Sequence, residues 1–308
     1  MNSCGELGAT DEFPLGSAEI DDDEVTGGKR AAVPLAWVDA LLRQRFAMTP
    51  GIESLDFSFP PHPAWPISLS AMSLWNVADY MRWRTGGDDP VLEEFARRHT
   101  LDGARVLDLG CGPGHAAAAL AERHGAVVTG IDASSEMLAA AGEVAPTVTL
   151  VQGGAEDMPF DDGSFDVVLS NFVVHLLDRP AAFAEVHRVL GKGGIYLIKT
   201  QDPETIRNYW AAPLFPSVVG IEIARFPSEN RLHKELVAAG FRDVHVDRRG
   251  LERVFSRDEA IEKLASGAYS TLQLLPPAEL ADGIRRAPHV LSDPVRYRLV
   301  YLIVEARR

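Results

Sequence analysis

The residues with the clearest chemical potential lie in one short stretch, Val106-Leu-Asp-Leu-Gly-Cys-Gly-Pro-Gly114. A buried strand that runs through glycines into a helix lets the backbone approach a ligand closely, and the helix N-terminus offers free N–H groups. Gly110, Gly112 and Gly114 have the spacing G-x-G-x-G, whereas loops that bind a dinucleotide pyrophosphate have G-x-G-x-x-G. The loop therefore predicts a nucleotide-like ligand other than a dinucleotide.

Two carboxylates accompany this loop. Asp108 lies in the strand before it and places negative charge where a pyrophosphate would bring more, so it favours a cationic amino-acid end. Asp132 ends the second predicted strand, where a carboxylate can accept hydrogen bonds from both hydroxyls of a ribose. The alternative for Asp132 is a cap of the helix that begins near Ser134. Cys111, inside the loop, is interpreted as a small loop residue rather than a nucleophile.

The surrounding chain alternates short apolar strands with short helical segments, which predicts right-handed βαβ units and a parallel sheet. Strands are predicted at 105–109, 126–131, 148–151, 165–169, 194–199, 244–248 and 295–306. Helices are predicted at 34–48, from Ser68 or Ser70 to about Trp83, and at 90–99, 116–123, 134–143, 181–190, 232–239, 256–265 and 277–285. Residues 201–232 are expected to be irregular.

The chain divides into three predicted regions. Residues 1–30 hold eight acids against Lys29 and Arg30 and have little apolar periodicity, so we expect a disordered acidic tail. Residues 31–100 are expected to form a helical N-terminal cap. Residues 101–308 form the main predicted domain, with its ligand-binding half at 101–200 and two insertions at 201–232 and 256–290.

Composition narrows the classes of partner. The 308-residue chain has a net charge of −14, which repels phosphate backbones, so we expect no nucleic-acid partner. Its two cysteines exclude a disulfide framework, and it shows no secretory signal and no apolar run long enough to span a membrane. No cluster of acids and histidines suggests a catalytic metal. We expect a cytoplasmic protein that could form a homodimer.

Several motifs together resemble one family. They are Asp108–Gly114, Asp132, Ala155-Glu156, the run from Met158 to Asp166, and Gly191-Lys-Gly-Gly194. In combination they resemble the class I S-adenosylmethionine-dependent methyltransferases, in their small-molecule or natural-product branch. The resemblance covers about 100 residues well. It implies a doubly wound, seven-stranded, mostly parallel Rossmann-like sheet with an antiparallel last strand, here with a helical N-terminal cap and insertions.

The resemblance also implies a cofactor, S-adenosylmethionine, and a role for each motif residue. The backbone from Gly110 through Cys111 and Gly112 to Gly114 would hold the methionine moiety, beside Asp108. Asp132 would bind the ribose, and Ala133 and Met137 would flank the adenine. Ala155 and Glu156 would reach the edge of the adenine, and Asn171 would line the cofactor near the sulfonium. Tyr80 could touch the carboxylate end of the cofactor. One departure is clear, because the family often has an acid where this chain has Gly154, which leaves Glu156 as the other candidate for the adenine amino group.

The acceptor side of the site is less defined. His175 follows the fourth predicted strand and could act as a general base, or it could be a surface histidine that supports the site. The aromatic residues of 57–83 and 209–226 could form a lid over the site or a packed core. Glu156 could equally be a solvated loop acid.

These observations predict methyl transfer to a small, apolar or aromatic acceptor in secondary metabolism, by O-, N- or C-methylation. Two alternatives stay open. One is a protein that binds S-adenosylmethionine without catalysis, and the other is a nicotinamide-dependent oxidoreductase.

Overall fold

The computed structural model of the protein describes Met81, residues 89–266 and residues 269–308. The predicted acidic tail, the predicted helix at 34–48 and Tyr80 lie outside these residues. The same is true of the predicted helix that ends near Trp83, apart from Met81. Everything below concerns the described part of the chain.

Seven strands form one sheet in the order β3-β2-β1-β4-β5-β7-β6. The strands are β1 (Arg105–Leu109), β2 (Val127–Asp132), β3 (Thr149–Gln152), β4 (Phe165–Asn171), β5 (Leu190–Gln201), β6 (Arg242–Phe255) and β7 (Val295–Arg307). Strands β1 to β5 pair in parallel, while β7 pairs antiparallel with both β5 and β6. The predicted fold class, including the antiparallel last strand, is confirmed.

The helices of the described chain connect and cover these strands. They are α1 (Pro90–His99), α2 (His115–His124), α3 (Ser135–Val144), α4 (Arg179–Val189), α5 (Val218–Arg225), α6 (Glu229–Ala238), α7 (Arg257–Ser266) and α8 (Pro277–Val290). Two short 3-10 helices lie at Pro203–Asn208 and Ser270–Leu274. Asp89 caps α1 by accepting hydrogen bonds from the Val91 and Leu92 backbone, and Ser134 caps α3 through Met137.

Both faces of the sheet are covered by apolar clusters. On one face, Phe183 of α4 and Leu236 of α6 pack against strand residues such as Leu107. On the other face, Phe95 of α1 and Leu120 of α2 are buried with Val106 and other strand residues. Because adjacent residues of β1 serve opposite faces, the strand reads as a continuous apolar run, as expected for a parallel sheet that is covered on both sides.

The two predicted insertions form a third apolar cluster. Trp210 and Phe215 pack there with Phe255, Leu264 of α7 and Ile284 of α8. Phe215 is completely buried and Trp210 nearly so. These two aromatic side chains therefore belong to a packed core. They do not line the cleft described below.

The prediction that residues 201–232 are irregular was wrong. This segment contains the Pro203–Asn208 3-10 helix, all of α5 and the first turn of α6. Helix α5 carries four β-branched residues (Val218, Val219, Ile221 and Ile223), which lowers its intrinsic helix propensity and hides its period. Val218 packs in the third apolar cluster, and this tertiary packing stabilises a helix that the local sequence favours only weakly.

Glycine and aromatic packing inside this cluster generate a prediction. A Cβ on Gly283 of α8 would lie 2.0 Å from the Phe215 ring, whereas a Cβ on the exposed Gly220 of α5 would meet nothing within 4 Å. We expect Gly283→Ala to lower the free energy of unfolding by about 1–3 kcal/mol through overpacking, even though alanine favours helix. Gly220→Ala, the matched control, should leave it unchanged or raise it by up to about 1 kcal/mol. Urea denaturation measures both, and a neutral Gly283→Ala would show that the cluster is loosely packed.

Candidate active site

A cleft of ≈ 360 Å³ opens at the carboxyl ends of β1, β2 and β4. In doubly wound sheets, ligands bind beyond the carboxyl ends of the strands. The cleft is lined by Leu109, Gly110, Ile131, Asp132, Ala133, Gly153, Gly154, Ala155, Val173, Leu176 and Leu177.

The glycine loop is shaped by close contacts. Gly110 has a φ of +70°, and a Cβ on it would lie 2.4 Å from Cγ2 of Val173. Gly114 is the N-cap of α2 with a φ of +82°, and a Cβ there would lie 3.1 Å from Cβ of Ala141 in α3. No other residue type fits at Gly110 without displacing the wall of the cleft.

Asp132 fastens this loop to β2. Its Oδ2 accepts a 2.8 Å hydrogen bond from the Gly112 backbone N–H, and its Oδ1 accepts a 2.9 Å bond from the Ser134 N–H. Burial raises the pKa of this carboxyl, and the backbone N–H groups of Ser134, Gly112 and Ala133 oppose that rise. The carboxylate thus serves the start of α3 and also lines the cleft. Each oxygen keeps a second lone pair that a ligand hydroxyl could use.

Asp108 is a buried carboxyl beside the loop. It is 1% exposed, and its Oδ2 has no hydrogen-bond partner among the described residues. Burial, and secondly the charge of Asp132, raises its pKa from the ordinary 3.8 to about 7, against the opposing effect of the Ala117 backbone N–H. An unpartnered buried carboxyl next to a cleft is suited to receive a cationic group.

The remaining loop and strand-end residues take different positions. Ala133 and Ala155 line the cleft. Met137 is buried in the first turn of α3 and does not line the cleft. Cys111 is buried as well, and burial raises the pKa of its thiol well above its ordinary value, so the thiol stays protonated. The interpretation of Cys111 as a small loop residue and not a nucleophile agrees with these properties.

Glu156 lies beside the place where the family often has an acid. A Cβ on Gly154 would lie 3.4 Å from Glu156 Oε2, so the Glu156 carboxylate reaches the space above Gly154. Its other oxygen, Oε1, accepts a 3.1 Å hydrogen bond from the Asp178 N–H at the start of α4. Glu156 therefore has a backbone partner for one oxygen, and its role toward a ligand stays a prediction.

Two further predicted residues are Asn171, which ends β4, and His175, which follows it. The Oδ1 atom of Asn171 is buried and has no hydrogen-bond partner among the described residues. His175 stacks on Phe226, with ring centroids 4.2 Å apart and an angle of 18° between the rings. Phe226 directly follows α5, so this stack brings the insertion next to the segment that lines the cleft.

Sequence reasoning missed part of the cleft wall. Val173, Leu176 and Leu177 line it beside Gly153, and none of them was predicted as a site residue. The signal was present, because they belong to an apolar run that directly follows a strand end in a parallel sheet.

Within residues 89–266 and 269–308, no group of three or more His, Cys, Asp or Glu side chains is arranged to hold a metal ion. No helix in the same part of the chain is long and apolar enough to cross a membrane.

Comparisons with known proteins agree with this geometry. A family model described as a methyltransferase domain matches residues 107–198. The demethylmenaquinone methyltransferase of Chlorobaculum tepidum is 34% identical over 168 residues, which cover 47% of this chain and 69% of that protein. The chain belongs to the class I S-adenosylmethionine-dependent methyltransferases.

Two more proteins are similar to this methyltransferase, one in sequence and one in fold. The 2-methyl-6-phytyl-1,4-hydroquinone methyltransferase of Synechocystis is 32% identical over 151 residues, which cover 42% of this chain and 48% of that one. The YcgJ protein of Bacillus has the same fold, with a TM-score of 0.52 and 20% identity over 70% of this chain and 97% of its own.

The family settles the cofactor as S-adenosylmethionine. The geometry fits this ligand, because the buried Asp108 Oδ2 and Asn171 Oδ1 have no hydrogen-bond partner among the described residues, and Gly110 lines the cleft with bare backbone. The ligand is a cation at its amino and sulfonium groups, so a negative Asp108 is favourable when it is bound.

The raised pKa of Asp108 generates a prediction about the ligand-free methyltransferase. Between pH 4 and about 7 the folded state holds this proton and the unfolded state does not, so stability falls as pH rises through this window. The slope should be about 1.4 kcal/mol per pH unit from this one group. In Asp108→Asn this contribution should vanish, which makes the variant more stable than the wild type above pH 7.

Urea denaturation at several pH values measures the slope. Glu143→Gln, which replaces an exposed carboxylate on α3, is the control and should keep the wild-type slope. If Asp108→Asn and the wild type had parallel pH profiles, Asp108 would be ionised in the folded protein throughout.

Proposed function

We propose that this methyltransferase transfers the methyl group of S-adenosylmethionine to a small, apolar, aromatic acceptor that carries a hydroxyl group, as part of secondary metabolism. The cleft carries the cofactor half of this proposal. The acceptor half is supported by the names of the relatives, which act on demethylmenaquinone and on a phytyl hydroquinone. Both of those acceptors are apolar molecules with an aromatic or quinoid ring.

The cofactor would lie along the carboxyl ends of β1, β2 and β4. We propose that Asp108 and the loop from Gly110 through Cys111 and Gly112 to Gly114 hold its methionine end. The glycines expose backbone groups to the ligand, and the Asp108 carboxylate can pair with the cationic amino group. The second lone pairs of Asp132 would accept the ribose hydroxyls. Ala133 and Ala155 would flank the adenine from the cleft wall, and Met137 is buried in the first turn of α3 outside that wall.

The edge of the adenine would meet Glu156 rather than residue 154. Glu156 Oε2 reaches the space where a side chain at position 154 would begin. Its Oε1 is held by the Asp178 N–H, which fixes the orientation of the carboxylate. Glu156 would thus substitute for the acid that the family often has at the position of Gly154.

Bound S-adenosylmethionine supplies a methyl group that is already activated by its sulfonium, so the reaction is a direct displacement without a covalent enzyme intermediate. The protein aligns the reacting groups and excludes water. Asn171 Oδ1 would face the sulfonium as a polar neighbour, since it is buried and lacks another partner in the described chain. The apolar side chains of Val173 and Leu176 would keep the cleft dry.

His175 would act on the acceptor. It lies between cleft residues Val173 and Leu176 in the sequence, and its stacking on Phe226 fixes the plane of its ring. A phenol or an alcohol must lose its proton in the reaction, and a neutral imidazole can accept it. A neutral amine acceptor would gain less from this base.

Two further expectations remain proposals. The net charge of −14 supports a small-molecule acceptor over nucleic acid. The cytoplasmic location and the homodimer are proposals from the sequence alone.

Cofactor binding tests the assignment of Asp132. We expect S-adenosylmethionine to bind the wild type with micromolar affinity and NAD not to bind, by isothermal titration calorimetry. Asp132→Ala should weaken S-adenosylmethionine by about a hundredfold or more, because two charge-assisted hydrogen bonds are lost. Glu143→Ala, an exposed acid on α3, should bind as the wild type does.

Asp132→Asn keeps the shape of the side chain but replaces one accepting oxygen by an NH2 group, which cannot accept from the Gly112 or the Ser134 N–H. It therefore removes one backbone contact and one ribose contact, and we expect an intermediate loss of affinity. Unchanged affinity in Asp132→Ala would defeat the ribose assignment. Tight binding of NAD in place of S-adenosylmethionine would defeat the proposed cofactor site as a whole.

Turnover tests the acceptor and His175. With labelled S-adenosylmethionine and a panel of alkyl-substituted hydroquinones, phenols and amines, we expect label in the phenolic products. His175→Ala should lower kcat by about a hundredfold and remove its dependence on pH near neutrality. His233→Ala, which removes an exposed histidine of α6, is the control. Full turnover by His175→Ala across pH would exclude the base, and no turnover with any acceptor would favour a binding protein without catalysis.

A further inference from the structure

Phe172 has a backbone conformation that its residue type disfavours. Its φ is +57°, and only two other non-glycine residues of the described chain, Thr100 and Asp243, share a positive φ. Thr100 is the C-cap of α1, and Asp243 lies at the register shift between β6 and β7, so each belongs to a common kind of irregularity. Phe172 instead lies directly beside the cleft. For a bulky side chain this region is strained, and such strain concentrates at functional sites.

The turn at Phe172 has a visible consequence. β4 ends at Asn171, and the chain then bends so that the Val173 side chain lies on the bare backbone of Gly110. Val173 lines the cleft from this position. Asn171, on the other side of Phe172, holds the buried Oδ1 without a partner in the described chain. The strained residue thus separates two residues that both belong to the proposed cofactor site.

Lys199 holds this conformation from the neighbouring strand. The Phe172 N–H donates a 2.8 Å hydrogen bond to the Lys199 carbonyl oxygen. The Lys199 ammonium lies 5.7 Å from the centre of the Phe172 ring and 4.8 Å from that of Tyr301. Those two rings meet edge to face at 5.4 Å, which adds to the packing.

The ammonium is itself fixed in place. Its Nζ lies 2.6 Å from Asp89 Oδ2, and the side chain of Lys199 is 12% exposed. Asp89 Oδ1 accepts from the Val91 N–H at the start of α1, so the assembly is tied to a helix. Phe172 is consequently restrained by a backbone hydrogen bond and by the Lys199 ammonium near its ring, and Asp89 fixes the position of that ammonium.

We propose that Phe172 is a positioning residue for the cofactor, and that Lys199 maintains its left-handed conformation so that Val173 closes the cleft against Gly110. The inference rests on the proposed cofactor site and adds two residues that do not line it. Neither residue needs to touch the ligand. Their effect passes through Val173 and Asn171.

Comparing alanine with glycine at position 172 isolates the backbone conformation. Both Phe172→Ala and Phe172→Gly remove the ring, but only glycine enters the left-handed region without strain. We expect Phe172→Ala to bind S-adenosylmethionine about fivefold or more weakly than Phe172→Gly, by calorimetry. A role in packing alone would alter Tm and leave the two affinities equal.

Lysine variants test the restraint. Lys199→Met keeps the length of the side chain and removes the ammonium, and it should weaken S-adenosylmethionine by about threefold in the wild-type background. In the Phe172→Gly background the same change should have no effect, because there is no strained ring to hold. Lys192→Met, at an exposed position of β5, is the control and should bind normally in both backgrounds.

The outcomes separate this inference from the cofactor site itself. If the wild type binds S-adenosylmethionine and the two variants at position 172 bind it equally, or glycine binds it more weakly, the positioning role is excluded. An equal loss from Lys199→Met in both backgrounds would exclude the action of Lys199 through Phe172. If the variants at 172 do not fold, Lys199→Met in the wild type decides alone, and unchanged affinity overturns the inference.

Discussion

The cofactor side of this methyltransferase depends on one close approach, the contact between the Gly110 backbone and the Val173 side chain. A Cβ at Gly110 would lie 2.4 Å from Val173, and similar contacts exist between Gly114 and Ala141 and between Gly130 and Cys111. The loop is thereby held between the segment after β4, helix α3 and strand β2. The hydrogen bond from the Gly112 N–H to Asp132 is a second attachment of the loop to β2. A loop restrained in this way loses little further freedom when it binds a ligand, which favours affinity.

The sequence was most informative where local chemistry and tertiary structure agree. The bounds predicted for β1 and α1 match those observed, because apolar continuity in β1 and the Asp89-Pro90 start of α1 are both local signals. Asp132 was identified from its place at a strand end, and the structure places it in the wall of the cleft. Ser134 is the N-cap of α3, and Asp132 accepts a hydrogen bond from the Ser134 N–H without capping the helix itself. The carboxylate keeps lone pairs for a ligand in the cleft.

Features that depend on distant partners were not predictable. β6 runs to Phe255, well past the predicted residue 248, because pairing with β7 extends a charged edge strand that has little apolar alternation of its own. Trp210 and Phe215 were ambiguous between lid and core, and only the packing of α7 and α8 around them decides for the core. Among the aromatic residues of 209–226, Phe226 is the one that stacks on His175. A single apolar ring says little about the shape of an acceptor, so the acceptor is harder to infer than the cofactor.

Asp108 and Phe172 share a property that stability alone does not explain. Asp108 is a carboxyl buried without a full set of partners, and Phe172 is a bulky residue at a positive φ. A neutral residue at 108 and a glycine at 172 would each remove a cost of the order of 1 kcal/mol or more. Both costs lie within a few residues of Gly110 or Val173. Proteins tolerate such departures from local preference at functional sites, where a bound ligand offsets them. The cationic cofactor accounts for the buried Asp108 carboxyl. The close fit of Val173 against Gly110 accounts for the left-handed turn at Phe172.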